Sequence, residues 1–74
     1  MPDMNVVGKN VKLLREKRGM TQDQLAFQLE ITGWKVDRFL ISKIERGERQ
    51  VTDKEVLLLA DALHAKIKEL FGRE

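Results

Sequence analysis

The sequence has no cysteine and no tyrosine, and its 74 residues include one proline, one tryptophan and three phenylalanines. Without cysteine, neither a disulfide framework nor a thiolate metal site can hold so short a chain together. Its stability must come from apolar burial and well-terminated helices. No apolar run approaches the roughly 18 residues that cross a bilayer, and the opening stretch MPDMNVVGKNVK lacks the basic-then-apolar layout of a secretion signal. These two absences lead us to expect a cytoplasmic protein without a membrane partner. Pro-rich, Ser-rich and repetitive segments are also missing, and the one proline is Pro2. A single domain over residues 1–74 is therefore expected.

What is present fits a soluble globular chain: 42% hydrophobic and 35% charged residues, with a formal net charge of +2. The charge is unevenly placed. Residues 1–50 carry 10 Lys+Arg against 7 Asp+Glu, net +3, whereas residues 51–74 carry 4 against 5, net −1. A polyanion would dock on the N-terminal two-thirds, although a solvated charged surface explains so small an excess more simply. A domain of this size buries only a modest share of its surface, which favours the many local contacts of an all-α arrangement.

Hydrophobic spacing and helix-end chemistry predict five helices. Val7, Val11 and Leu14 recur at i, i+4 and i+7 in a first helix from about Asn5 to Arg18, stopped by Gly19. Thr21-Gln22-Asp23-Gln24 reads as a capping box that opens a second helix. Leu25, Ala26 and Leu29 form its buried stripe, and it ends near Glu30. Residues Glu30 to Val36, with Gly33 and Trp34, read as a loop. Asp37 then caps a third helix running to about Arg46 and ended by Gly47; Thr32 is a competent alternative cap for a longer one. Leu40, Ile41 and Ile44 would face inward, leaving Arg38, Phe39, Ser42, Lys43 and Arg46 to point elsewhere. Thr52-Asp53-Lys54-Glu55 is a second capping box, opening a fourth helix from Asp53 to about Leu63, and a short last helix spans about Lys66 to Phe71.

A string of short pieces in fixed order then becomes informative: Val7-Gly8-Lys9, Leu14-Arg15 with Gly19, Thr21-Gln22-x-x-Leu25-Ala26, Ile41-Ser42-Lys43-Ile44-Glu45-Arg46-Gly47, Leu59-Ala60-x-Ala62-Leu63 and Leu70-Phe71. Together they resemble the lambda-repressor/Cro-type helix-turn-helix family, the xenobiotic-response-element group of bacterial and phage transcriptional regulators, over nearly the whole chain. The resemblance implies a compact five-helix DNA-binding domain whose third helix enters the major groove.

The resemblance also distributes roles among residues. Glu45 closely follows Ile44 near the end of a largely apolar turn and needs a cation nearby. Arg15 is the natural candidate, and in the proteins this sequence resembles the two positions form an ion pair. Gln22 matches the position whose side chain and backbone N–H bind a phosphate at a helix N-terminus. Arg38, Phe39, Ser42 and Lys43 match the positions that read base edges: Arg on guanine O6 and N7, Phe on a thymine methyl, Lys on a guanine acceptor or a phosphate. Phe39 has an equally simple reading as a cover for the core beside Leu40. Arg46 and Arg49, on either side of Gly47, would reach the sugar-phosphate backbone.

One departure from the family pattern stands out. Nine residues, Thr32 to Leu40, separate Ile31 from Ile41, about five more than a tight helix-turn-helix turn needs. Trp34 and Lys35 within this expanded turn either pin the loop to the domain or extend the contact surface, with Lys35 as a further phosphate candidate.

The resemblance therefore implies a homodimeric regulator, in the first instance a repressor, bound to an inverted-repeat operator of duplex DNA. Leu57, Leu58, Leu70 and Phe71 either form a self-complementary patch or belong to the core. Two alternatives stay open: an antitoxin or restriction-control protein of the same fold that also binds a partner protein, and an interaction module without DNA binding. No enzyme, cofactor, metal or small-molecule ligand is expected. Ser42 has no His at helical spacing to activate it, and His64 has no second His or Cys with which to make a metal site.

Overall fold

The computed structural model describes residues 3–73, so Met1, Pro2 and Glu74 of the expected 1–74 domain lie outside the described residues. The helices are α1 (Gly8–Lys17), α2 (Gln22–Ile31), α3 (Arg38–Glu45), α4 (Asp53–Ala62) and α5 (Ile67–Leu70), with no strand among the described residues. Three of the starts follow from local hydrogen bonding. The hydroxyl of Thr21 accepts from the N–H of Gln24 at 3.0 Å while the Gln24 side chain accepts from the N–H of Thr21 at 2.8 Å. Thr52 and Glu55 close the same reciprocal box at 3.2 and 3.0 Å. Asp37 accepts from the N–H of Leu40 at 2.9 Å, so α3 begins after Asp37 rather than after Thr32.

The first helix departs from expectation at its start. It begins at Gly8 rather than Asn5, because the Asn5 side chain has other work. Its Oδ1 accepts from the N–H of Gly8 at 2.7 Å. Its Nδ2 donates to the carbonyls of Ile44 at 3.1 Å and Arg49 at 2.8 Å. The N–H of Met4 adds a bond to the carbonyl of Gly47 at 2.8 Å. The segment before α1 is thus tied to the end of α3 and the loop beyond it. At Gly8 a β-carbon would collide with the Ile44 backbone carbonyl, so only glycine permits α1 to sit this close to α3.

The buried set comes from all five helices: Val7 and Val11, Leu25 and Leu29, Ile41 and Ile44, Leu59 and Leu63, and Leu70 are almost fully enclosed. α2 packs on α3 and α4, α1 on α3 and α5, and α4 on α5. The connector from Thr32 to Asp37 is anchored by Trp34 and Val36, both half-buried against this core. Leu70 is core and Leu58 is half-buried, which removes both from any exposed patch; Leu57 and Phe71 remain outside. No helix of the described chain is long and apolar enough to cross a membrane.

Candidate nucleic-acid interface

The site is built on α3, whose eight residues divide cleanly by side. Ile41 and Ile44 are buried and Leu40 is half-buried, all in the core, and Glu45 is buried one position further on. Turned outward are Arg38, Phe39 and Lys43, with Ser42 half-buried beside them. Arg38 and Ser42, like Phe39 and Lys43, are four residues apart and so stand one above the other on the helix surface. Phe39 is 66% exposed and does not cover the core.

The back of α3 is fixed by a network that begins one helix away. Arg15 of α1 donates from Nε to Glu45 Oε2 at 2.7 Å and from Nη2 to Oε1 at 3.2 Å, while its Nη1 donates to the carbonyl of Met20 at 2.8 Å. The hydrogen bond to Glu45 holds the Arg15 guanidinium above its ordinary value, against the opposing effect of burial. Gln22 of α2 completes the group, donating from Nε2 to Glu45 Oε1 at 3.0 Å. Three helices thereby meet at one carboxylate, and no buried side-chain polar atom among the described residues is left without a partner. Gln22, expected at a phosphate, thus spends one amide hydrogen on Glu45. The donors left for a phosphate are its second Nε2 hydrogen and its backbone N–H in the first turn of α2.

The outward side chains are lightly held. Arg38 Nη1 lies 4.0 Å from Asp23 Oδ2, both well exposed, and the guanidinium stands 5.2 Å from the Phe39 ring centroid. An exposed pair of this kind contributes about 0–1 kcal/mol, and an exposed cation–π contact about 0.5–1 kcal/mol. A bidentate base contact discriminates by about 1–3 kcal/mol, so a guanine can draw Arg38 away from both.

Lys35 in the connector and Lys43 on α3 line one open hollow with Val36, Asp37, Phe39 and Leu40. Arg46 is exposed and pairs with Glu48 at 3.1 Å. Arg49 is turned to a different set of partners. Its Nη1 and Nη2 reach Glu55 Oε1 and Oε2 at 3.0 and 3.2 Å, and its guanidinium lies 5.9 Å from the Trp34 ring. Arg49, a candidate for the sugar-phosphate backbone in the sequence, is thus paired within the protein. The acid that holds it sits six positions on, across a turn, at the third position of a capping box already assigned to Thr52.

Two further polar ties escaped the sequence reading. Arg18 donates to the carbonyls of Leu63 at 2.9 Å and His64 at 3.0 Å, closing the end of α4, and Asn10 donates to the carbonyl of Leu70 at 3.0 Å. Both join residues distant in sequence, so no periodicity announces them.

Comparison with known proteins adds a consistent set of likenesses. A helix-turn-helix family profile matches residues 11–70. The control protein C.SmaI of Serratia marcescens is 35% identical over 69 residues, covering 93% of this chain and 76% of that protein. The restriction-modification controller protein C.AhdI of Aeromonas hydrophila superposes with a TM-score of 0.76 at 35% identity, over 88% of this chain and 87% of that one. The controller C.Esp1396I, solved as a tetramer on its natural 35-base-pair operator, matches with a TM-score of 0.68 at 32% identity, over 88% of this chain and 93% of that one. With its five-helix fold, its outward α3 and a profile match over most of its length, the chain belongs to the helix-turn-helix family of Cro/C1-type, xenobiotic-response-element-like regulators that bind DNA sequence-specifically.

Proposed function

We propose that this protein is a restriction-modification controller, a non-enzymatic cytoplasmic regulator that binds an operator of two-fold related half-sites as a homodimer. The observation that carries the reading is α3: Arg38, Phe39 and Lys43 stand in solvent while Ile41, Ile44 and Glu45 pin its other side to α1 and α2. Arg38, Phe39, Ser42 and Lys43 are assigned to base edges. Gln22, Lys35 and Arg46 are assigned to phosphates, where they fix register without carrying sequence choice. The relatives favour restriction control over the antitoxin and interaction-module alternatives, because C.SmaI, C.AhdI and C.Esp1396I are all control proteins.

Size supports a dimer. The chain measures 29 × 26 × 22 Å, and successive major grooves on one side of a duplex lie about 34 Å apart. One copy presents one α3 to one groove, so reading two half-sites takes two copies. We place the two-fold contact on α4 and α5, where Leu57, Ile67 and Phe71 are exposed around a largely apolar hollow rimmed by Asp53 and Lys54. A two-fold contact there brings the acid of each copy toward the base of the other.

Selection from random duplexes, read by sequencing, tests the proposal. The expected result is an inverted repeat enriched over several rounds. Recovery of no motif at low salt, where the backbone term is strongest, would count decisively against it.

A further inference from the structure

We infer that Trp34, Arg49 and Glu55 form a stacked strut that positions the entry to α3, and so sets operator selectivity without touching DNA; the inference rests on the reading of α3 given above. The connector is held firmly at its ends. The N–H groups of Gly33 and Trp34 donate to the carbonyls of Glu30 and Leu29 at 2.9 and 3.2 Å, and Asp37 caps α3. Among the described residues, no backbone hydrogen bond ties Lys35 or Val36 to the rest of the chain. The middle of the connector therefore depends on side chains, and the indole of Trp34 is the largest of them.

What the indole leans on is itself fixed at every joint. The Arg49 carbonyl accepts from Asn5 Nδ2 at 2.8 Å, so its backbone is anchored to the segment before α1. Its guanidinium is gripped from both prongs by Glu55 at 3.0 and 3.2 Å. Glu55 in turn accepts from the N–H of Thr52 at 3.0 Å in the first turn of α4. A guanidinium can meet both demands at once, since its fork binds both carboxylate oxygens while its charge stands over the ring, 5.9 Å from the centroid. The carboxylate also neutralises it, which makes Arg49 a poor partner for a phosphate. A residue in the connector is thus braced by α4 through one cation, and a displaced brace lets the start of α3, with Arg38 and Phe39, move relative to the bases.

Glu55→Gln separates this role from the alternative. Glutamine retains an oxygen for the Thr52 N–H, preserving the cap, but sets an amide nitrogen against the Arg49 fork. Were Arg49 a phosphate ligand restrained by Glu55, its release would tighten binding to every duplex. Were it a brace, binding to the selected duplex would fall while binding to a scrambled duplex stayed put. The expected result is a loss on the order of tenfold for the selected duplex alone, the size of one mismatched base pair. Trp34, the sole tryptophan, should also change its emission in the DNA-free protein.

Arg49→Lys provides the second variant, keeping the charge and leaving the α4 cap untouched. It should lose selectivity similarly, because an ammonium cannot grip the carboxylate with a planar fork, and the emission of Trp34 should shift with it; a phosphate ligand would keep both at the wild-type value, since lysine neutralises a phosphate as arginine does. Tighter binding of Glu55→Gln to both duplexes, or wild-type selectivity and emission in both variants, would overturn the inference. A wild-type protein unable to distinguish the selected from the scrambled duplex would instead overturn the reading of α3 beneath it.

Discussion

Arg15 and Glu45, thirty residues apart, meet in a two-pronged pair that is largely buried, with Nε and Oε2 2.7 Å apart. Breaking a buried pair by removing one partner strands the other charge and costs about 3–5 kcal/mol. Arg15→Ala and Glu45→Ala should each lower the melting temperature by well over ten degrees, as about 4–8 °C accompanies each kcal/mol in a domain of this size. Replacing both residues together with apolar side chains should cost less than either single change. Single variants that melt like the wild type would show that the pair contributes nothing to the fold.

On α3 the effects should fall on binding and leave the fold alone. Arg38→Ala removes an exposed side chain whose intramolecular contacts are weak. Its melting temperature should stay at the wild-type value while affinity for the selected duplex drops by about 1–3 kcal/mol and specificity relaxes at one base position. Lys43→Ala should weaken binding as well, and titration against point-substituted duplexes will separate a base contact from a phosphate contact.

Glu55 gives the protein a dependence on acid. Burial pushes its carboxyl up, but hydrogen bonds from Arg49 and Thr52, with the Arg49 charge, outweigh burial and hold it below the ordinary value. The folded state therefore binds this proton less readily than the unfolded chain. The associated stability is fully present above the unfolded value, about 4.3, and is lost as the pH falls through the lower folded value. Thermal melts between pH 3 and 7, round values chosen to bracket that range, should show a decline at the acid end that is shallower in Glu55→Gln. An identical decline in the two proteins would assign it to other carboxylates.

The apolar face of α4 and α5 can be tested by charge. Leu57 is 51% exposed, so Leu57→Glu loses little core packing. Light scattering at micromolar concentration should show a dimer for the wild type and a monomer for the variant, with operator affinity falling in parallel. A dimeric Leu57→Glu protein would move the two-fold contact to another surface.

How much of this was legible beforehand depends on the range of the interactions. The capping boxes at Thr21 and Thr52 and the Asp37 cap are written within four residues, and the helices start where those residues place them. The inward spacing of Ile41 and Ile44 likewise follows from the helical repeat. The start of α1 was misplaced because Asn5 is claimed by carbonyls 39 and 44 positions away. The pairing of Arg49 with Glu55 is not legible either, since a basic residue carries no local sign of its partner. Leu70 and Phe71 are neighbours of similar hydropathy, yet one is enclosed and the other is 45% exposed, a difference made by the placement of a four-residue helix.

Gly8 leaves no β-carbon's width between the start of α1 and the carbonyl of Ile44. At its Ile44 end the reading helix accordingly has no slack of its own, and only its start, which the connector holds, can shift without carrying α1 along. Fitting to operators of differing groove width then falls largely to side-chain rotamers and to bending of the duplex, so preference among operators should follow how readily each deforms as well as the bases it displays.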